Sequence, residues 1–282
     1  MAKRLTSMTV LETRRLSPHM IRVYLGGDGF ADFEASEDTD SYIKFLFPAA
    51  GVEYPEPFDL ERIRSEFAPE DQPTVRTYTV RSVDAQRRRI AVDFVVHGEA
   101  GVAGPWALRA QPGETIRFLG PGSGYRPSAE VDWHLMAADE AGLPAVAAAV
   151  EALPTDAVAQ VFIEVAGPED EIELSAPPGA SITWVHRGAP SDSADPAVTG
   201  DNAPLIAAVR AAPWLPGRVQ VFIHGEAQTV MSNLRRYIRR ERAVPAGDAS
   251  ISGYWRRGRT EEGFRQWKAE LRAREAAAGI AP

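Results

Sequence analysis

Cysteine is absent from all 282 residues of the sequence. The absence excludes disulfides, thiolate zinc sites, iron–sulfur clusters and cysteine nucleophiles. Long apolar runs are lacking as well: the N-terminal stretch MAKRLTSMTVLETRRLS has no signal-peptide core, and nowhere do about 18 apolar residues follow one another. These absences predict a cytoplasmic protein without stable membrane insertion, and any redox chemistry must come from a bound cofactor.

Charge of both signs is present but unevenly distributed. The net charge is −8, and the chain carries 15 basic and 18 acidic side chains in residues 1–120, 4 and 15 in residues 121–230, and 12 and 6 in residues 231–282. The basic stretches RRYIRRER and YWRRGR are too short and isolated to predict a nucleic-acid partner, so we expect a solvated basic helix on an acidic body. The five histidines have no metal-ligand spacing, so no metal site is predicted.

The pattern of the chain changes near residue 126, which predicts a β domain followed by an α/β domain. Short β-branched or aromatic runs such as MIRVYLGG, SYIKFLFP and RRIAVDFVVHG predict an N-terminal antiparallel six-stranded barrel. After the linker GPGSGYRPSAEVD, buried-looking strands alternate with helical segments, which predicts a parallel sheet. We expect a monomer whose segments are residues 1–126, residues 127–245, and a C-terminal strand and basic helix in residues 246–282.

The stretch ADEAGLPA has the layout of a nucleotide-binding turn with two carboxylates at its centre. An apolar run, a turn with Gly142 and Pro144, and an Ala/Val-rich helix follow one another, but the turn carries Asp139 and Glu140. Carboxylates repel a phosphate, so an ordinary dinucleotide loop is disfavoured.

A barrel followed by a nucleotide-binding domain is the order found in flavin reductases, and RTYTV, residues 76–80, is the candidate flavin strand. Alternation puts Arg76 and Tyr78 on one face and Thr77 and Thr79 on the other. An arginine suits a pyrophosphate, an aromatic ring stacks on a flavin, and a threonine hydroxyl reaches the flavin edge. An ordinary strand explains the same residues.

A second candidate element is the stretch DFVVHGEAGVAGPWALRAQPGETIRFLGP, residues 93–121. It predicts a strand, a turn around Gly98, Gly101 and Gly104, and a short helix that starts at Pro105 and Trp106, whose N–H groups suit an anion. His97 either ends the strand without a role or contacts the edge of a dinucleotide.

Several ordered motifs together resemble a known family, the siderophore-interacting proteins, which are flavin-dependent ferric-siderophore reductases related to the ferredoxin–NADP reductase superfamily. The resemblance spans nearly the whole chain and is carried by RTYTVR, VDFVVHGEAGVAGPWA, PGETIRFLGPGSGY, HLMAADEAGLPAVAAAVEALP, VFIEVAGPED, VFIHGEAQTVMSNLRRYI and SGYWRRG. Two positions depart from the family pattern: Ala141 replaces a threonine, and Gly104-Pro105 replaces a serine or alanine. The resemblance therefore implies no hydroxyl contact at those two positions.

The resemblance implies an FAD, with Thr79 and Tyr78 at the reacting atoms. The implied FAD-binding residues include two carboxylates that would accept hydrogen bonds from the ribose or adenine of FAD; the full set is Arg76, Thr77, Tyr78, Thr79, Val95, His97, Gly101, Gly104, Trp106, Ala107, Asp139, Glu140 and Ala141.

The resemblance also implies an electron donor and an acceptor. The donor is NADH or NADPH, bound at Gly225, Glu226 and Gln228, and ferredoxin stays open as an alternative electron donor. The acceptor is a ferric siderophore, an anion that suits Lys44, Arg126, Arg256 and Trp255. A flavin or ferredoxin-type reductase with another acceptor, or a siderophore-binding protein without catalysis, stays open as an alternative.

Overall fold

The structure divides the chain where the sequence pattern changes. The computed structural model describes residues 4–98, 101–259 and 261–277, and its packing separates residues 1–126 from residues 127–282. The segment 246–282 belongs to the second of these units.

The first unit is a closed barrel of six antiparallel strands, which confirms the predicted architecture. The strands are β1 Leu5–Ser17, β2 Met20–Gly26, β3 Tyr42–Phe47, β4 Thr74–Asp84, β5 Arg89–Val95 and β6 Thr115–Gly122. Their order around the barrel is β1-β2-β5-β4-β3-β6. Alternate residues fill the interior, as in β3, where Ile43, Phe45 and Phe47 join Phe94 and Phe118 in the core.

Two short helices complete the barrel unit. Helix α1, Leu60–Glu66, starts at Asp59, whose carboxylate accepts hydrogen bonds from the backbone N–H groups of Glu61 and Arg62. Its apolar signal is weak because Ile63 is its one buried residue, and the sequence patterns did not predict it. Helix α2, Ala103–Arg109, begins two residues before the predicted start at Pro105. Two 3₁₀ turns, Asp28–Asp32 and Pro69–Asp71, lie in the connections.

The second unit is a five-stranded parallel sheet with helices, also as predicted. Its strands are β7 Trp133–Ala138, β8 Ala159–Val165, β9 Ala180–His186, β10 Val219–Glu226 and β11 Ala249–Trp255, in the order β11-β10-β7-β8-β9. The helices are α3 Leu143–Glu151, α4 Pro204–Ala211 and α5 Glu261–Ala277, with π-helical segments at Gln228–Leu234 and Tyr237–Glu241. Three 3₁₀ turns, Pro168–Asp170, Gly200–Asn202 and Ala246–Asp248, lie in loops.

The strand order locates the crevice in which a sheet of this type binds ligands. The chain runs outward from β7 through β8 to β9 and then crosses back to β10 on the other side of β7. Ligands of open α/β sheets bind beyond the carboxyl ends of the strands where the order reverses. That point lies between β7 and β10. No helix in the described part of the chain is long and apolar enough to cross a membrane.

Candidate functional site

The RTYTV strand lies in β4, with alternate side chains on opposite faces of the barrel wall. Tyr78 faces inward, and its ring centroid lies 4.3 Å from that of Phe94 and 6.0 Å from that of Phe45. Thr77 is exposed and Thr79 is buried, and by alternation both lie on the outer face. One strand therefore presents a half-buried aromatic ring on one face and two hydroxyls on the other.

Helix α2 is held beside this strand by the same aromatic rings. The Trp106 ring centroid lies 5.4 Å from that of Phe94 and 6.1 Å from that of Phe45, so Trp106 and Tyr78 share two neighbours. The backbone N–H of Trp106 donates to the carbonyl of Val102 at 3.1 Å. Trp106 therefore anchors the helix in the barrel core, and its N–H is not available to an anion as the sequence had suggested.

Two glycines are required at the start of α2 for different reasons: Gly101 lies in the turn before the helix, and Gly104 lies in its first turn. Gly101 has a φ of +84°, a left-handed conformation that favours glycine. Gly104 packs against β5, since a Cβ there would lie 3.4 Å from the carbonyl oxygen of Val95. Ala107 is buried in the barrel core, so it fixes the helix, while His97 is half-buried just beyond β5.

Two of the predicted siderophore cations belong to the barrel unit, in different settings. Lys44 is half-buried, and its register neighbours in β4 and β6 are Thr77 and Leu119. Cross-strand neighbours lie about 5 Å apart at Cβ, so Lys44 stands beside the candidate flavin strand on its outer face. Arg126 instead forms an exposed ion pair with Glu37, with 2.7 Å between Nη2 and Oε2.

In the second unit, Asp139 follows β7 and joins several segments at the carboxyl edge of the sheet. Its Oδ1 accepts hydrogen bonds from the backbone N–H groups of Ala141 at 3.0 Å and Gly142 at 3.1 Å. Its Oδ2 accepts from the backbone N–H of Glu226 at 2.8 Å and from Nε1 of Trp255 at 2.7 Å. Both oxygens are thus fully occupied by the chain. Burial, and secondarily the charge of Glu140, raises the pKa of Asp139 to about 6.

The neighbouring carboxylate belongs to a buried charge cluster. Arg187 donates to both oxygens of Glu140 and, through Nη1, to Oε1 of Glu164 at 2.8 Å. The three side chains are 2%, 3% and 6% exposed. Burial raises the pKa of both Glu140 and Glu164, and the guanidinium between them opposes that rise. The second oxygen of Glu164 accepts from the backbone N–H of Leu205, which fixes the start of α4.

The carboxylate that ends β10 caps the following helical segment. Oε2 of Glu226 accepts from the backbone N–H groups of Gln228 at 2.7 Å and Thr229 at 3.0 Å. The Gln228 amide donates to Asp201 at 2.7 Å. Gly225 has little free space around it, because a Cβ there would lie 2.9 Å from Oδ1 of Asp139.

The segment after β11 crosses this edge. Trp255 binds Asp139, as described, and Arg256 pairs with Glu226 at 3.4 Å. Arg257 donates its backbone N–H to Glu226 Oε1 at 3.2 Å, and its guanidinium lies over the Trp255 ring at 4.9 Å. Through Nη1 it also donates to the carbonyls of Ser191, at 2.6 Å, and Ser193.

These contacts correct several sequence-based expectations for the second unit. Asp139, Glu140 and Glu226 were expected to accept hydrogen bonds from a nucleotide, but their carboxylates are buried and bound within the chain. Ala141 contributes its backbone N–H to Asp139, and Trp255 points its indole N–H at the same carboxylate. The sequence patterns missed the cluster around Arg187, whose signals were an arginine directly after a strand and an acid inside VFIEV.

No group of three or more histidine, cysteine or acidic side chains in the described residues could hold a metal ion.

Comparison with known proteins identifies the two units by sequence. Residues 9–125 match the profile described as "Siderophore-interacting FAD-binding domain", and residues 131–258 match that described as "Siderophore-interacting protein". The ferric vibriobactin reductase ViuB of Vibrio cholerae is 34% identical over 89% of this chain and 89% of its own length.

Solved structures agree with the sequence matches. The crystal structure of a siderophore utilization protein from T. fusca is similar with a TM-score of 0.76 and 36% identity, over 92% of this chain and 95% of that one. The ferredoxin reductase of carbazole 1,9a-dioxygenase, at 16% identity and a TM-score of 0.64, covers 89% of this chain and 70% of its own, and shares the fold.

Proposed function

Because the chain belongs to the siderophore-interacting protein family of FAD-binding oxidoreductases, we propose that it is a ferric-siderophore reductase that takes electrons from NADH or NADPH. The observation that carries the proposal is the packing of β4 and α2 on the rings of Phe45 and Phe94. That packing supports a single flavin site built from the two elements that the sequence had selected.

The residues of this site fit an FAD. Neither residues 74–80 nor residues 101–109 include an acid, so nothing in these segments repels a pyrophosphate. The first N–H groups of α2, those of Ala103 and Gly104, have no partner within the helix by its geometry. Arg76 is half-buried in β4, on the same face as Tyr78, and carries a fork of donors that matches phosphate oxygens.

We assign the roles of the strand residues from their faces. Arg76 binds the pyrophosphate, and the hydroxyls of Thr77 and Thr79 bind the polar edge of the ring system on the outer face of the strand. Tyr78 supports this strand from the inner face, through its half-buried ring. FAD, when bound, accepts a hydride's two electrons and gives them up singly, which a one-electron metal acceptor requires. The protein's task is to hold and orient both reactants.

Lys44 is the leading cation for the siderophore, because it neighbours Thr77 across the strand pair. Ferric siderophores are commonly anionic, so a cation beside the flavin strand attracts them. Hard oxygen donors hold Fe(III) much more tightly than the larger, less charge-dense Fe(II), so reduction releases the metal. Arg126 and Arg256 are secondary candidates, because each is already paired with a carboxylate.

The test combines two measurements on the flavin-loaded protein. Under anaerobic conditions NADH or NADPH should bleach the flavin absorbance, and adding a ferric siderophore should restore it while a trapping chelator reports Fe(II). Bleaching without Fe(II) from any of several siderophore classes would indicate a reductase with another acceptor. A protein that retains no flavin would refute the proposal.

Variants test the flavin assignment directly. Arg76→Ala should weaken FAD retention by about tenfold or more, because it removes a charge-assisted hydrogen bond. Tyr78→Ala should also weaken it, because the strand loses the ring that supports it from the core. Arg87→Ala is the matched control, since the Arg87 side chain is 72% exposed on the same barrel. Unchanged retention in both test variants would remove the assignment. Lys44→Gln should weaken siderophore reduction while bleaching by NADH or NADPH is unchanged.

A further inference from the structure

The crevice at which the sheet order reverses is closed by two segments of the second unit. One is the strap, residues 255–257, which binds Asp139, directly after β7, and Glu226, the last residue of β10. The other is the cover loop, residues 188–203, which connects β9 to α4. The cavity left beneath them measures about 10 Å³, room for about one water molecule. A nucleotide can enter this crevice only if one of these segments moves.

Arg257 links the strap to the cover loop. Its guanidinium donates to the carbonyls of Ser191 and Ser193 in the loop and lines the cavity. The cavity is also lined by Arg187 and by three carboxylates that already accept hydrogen bonds from the chain, those of Asp139, Glu164 and Glu226. The other end of the loop is held separately, by Thr229 Oγ1 donating to the carbonyl of Gly200 at 3.1 Å.

The charge of Arg257 is not met by an acid. Arg187 lies between two carboxylates and Arg256 pairs with Glu226, whereas the guanidinium of Arg257 has no carboxylate within ion-pair distance in the described residues. Its partners are neutral carbonyls, which bind a guanidinium less strongly than phosphate oxygens do. Desolvation by burial lowers its pKa, and the charge of Glu226, followed by those of Asp139 and Glu164, opposes this fall.

The closed arrangement also leaves polar groups unsatisfied. Nε of Arg257 and Oγ of Ser191 are buried and have no hydrogen-bond partner among the described residues. Buried donors without partners cost stability, so opening this contact loses less than the number of bonds suggests. The cover loop has left-handed glycines at Gly188 and Gly200, with φ of +76° and +61°, which supply flexible positions at its two ends.

We propose that Arg257 binds the pyrophosphate of the pyridine nucleotide and thereby releases the cover loop. The guanidinium leaves the carbonyls of Ser191 and Ser193 and donates to phosphate oxygens instead. Binding of the pyridine nucleotide and opening of the crevice therefore occur together. This inference rests on the proposed function, because it assumes that a pyridine nucleotide is the electron donor. Arg257 is a binding residue in it, and the cover loop is a gate.

The experiment measures binding and loop exposure on the full chain loaded with FAD that has been chemically reduced under anaerobic conditions, so that NADH and NADPH bind without transferring a hydride. Dissociation constants for NADH, NADPH, ADP-ribose and inorganic pyrophosphate are obtained by tryptophan fluorescence for the wild type, Arg257→Gln and Arg257→Lys. Limited proteolysis followed by mass spectrometry reports cleavage within residues 188–203. Arg240→Gln is the control, because it removes the same charge from an exposed position of the same unit.

We expect Arg257→Gln to weaken binding of NADH, NADPH and ADP-ribose by about tenfold or more, and Arg257→Lys by less, because lysine keeps the charge but not the fork. The cover loop should be cleaved faster in Arg257→Gln without ligand, and faster in the wild type with ADP-ribose than without. Pyrophosphate that binds while ADP-ribose does not would refute a nucleotide site. Arg240→Gln should match the wild type.

Failure of the inference is distinguishable from failure of the proposed function. If NADH or NADPH bleaches the flavin equally in Arg257→Gln and the wild type with equal dissociation constants, the role of Arg257 is refuted and the reductase stands. If the wild type binds none of the four probes, both the inference and the pyridine-nucleotide donor are refuted. Chemically reduced flavin still yielding Fe(II) from a ferric siderophore would then leave the reductase with another donor.

Discussion

Replacing Arg187 with methionine tests whether the buried charge cluster holds the second unit together. The substitution leaves Glu140 and Glu164, whose side chains are 3% and 6% exposed, without their shared cation. Removing one partner of a buried ion pair costs roughly 3–5 kcal/mol, a large share of the 5–15 kcal/mol that stabilises an ordinary domain. We therefore expect Arg187→Met to lower the free energy of unfolding by about 3–5 kcal/mol at pH 7.5.

The loss should depend on pH in a defined direction. Burial already raises the pKa of Glu140 and Glu164, and without Arg187 it rises further. A carboxyl whose folded pKa lies above its unfolded value destabilises the fold as the pH rises between those two values. The model-peptide value is 4.5, so the variant should lose less stability at pH 5 than at pH 7.5.

Urea unfolding followed by tryptophan fluorescence measures this effect, because five of the six tryptophans lie in residues 127–282. Arg210→Met is the matched control: it breaks an ion pair with Glu241 whose side chains are 44% and 45% exposed, and exposed pairs of this kind contribute little to stability. Neutralising both carboxylates together with Arg187 should recover part of the loss. An Arg187→Met variant no less stable than Arg210→Met, or equally destabilised at both pH values, would contradict the argument.

Three further predictions concern single positions. The pKa of Asp139 is raised from 3.8 to about 6, so ionisation of this carboxyl destabilises the folded state by up to about 3 kcal/mol as the pH rises between those values. The loss of stability caused by Asp139→Asn, measured by urea unfolding, should therefore be smaller at pH 7 than at pH 4. An equal loss at both pH values would contradict the argument. A Cβ at Gly142 would lie 2.4 Å from the carbonyl oxygen of His224, whereas a Cβ at Gly247 would have no atom within 4 Å. Thermal unfolding should therefore show that Gly142→Ala is clearly destabilised and that Gly247→Ala is nearly neutral. Asp59→Ala removes the N-cap of α1 and should cost about 1 kcal/mol in the barrel unit by chemical denaturation; no change would mean that the helix is fixed by packing alone.

The architecture could be predicted because it is encoded in local patterns. Alternation along SYIKFLF puts Ile43 and Phe45 in the barrel core, and the apolar runs after residue 126 form parallel strands. The sequence did not predict helix α1, because a seven-residue helix with one buried side chain shows almost no hydrophobic periodicity.

The chemistry of the second unit could not be predicted because its partners are distant in sequence. Asp139 is bound by Trp255, 116 residues later, and Glu140 by Arg187, 47 residues later. Two carboxylates in a turn look exposed and available until those partners are known. In the barrel, the residue types of RTYT indicated a flavin strand, but the anchoring of Trp106 in the core depends on three aromatic rings from two other strands and could not be predicted from the local sequence.

The four hydrogen bonds to Asp139 have a consequence for how the protein can change over evolution. The donors come from the turn itself, from β10 and from the end of β11, and a carboxylate is the one common side-chain group that offers acceptor sites on two oxygens to all of them. An amide would turn a donor toward two of these N–H groups, and an apolar residue would leave four donors buried. Substitution at Asp139 therefore has no neutral single step.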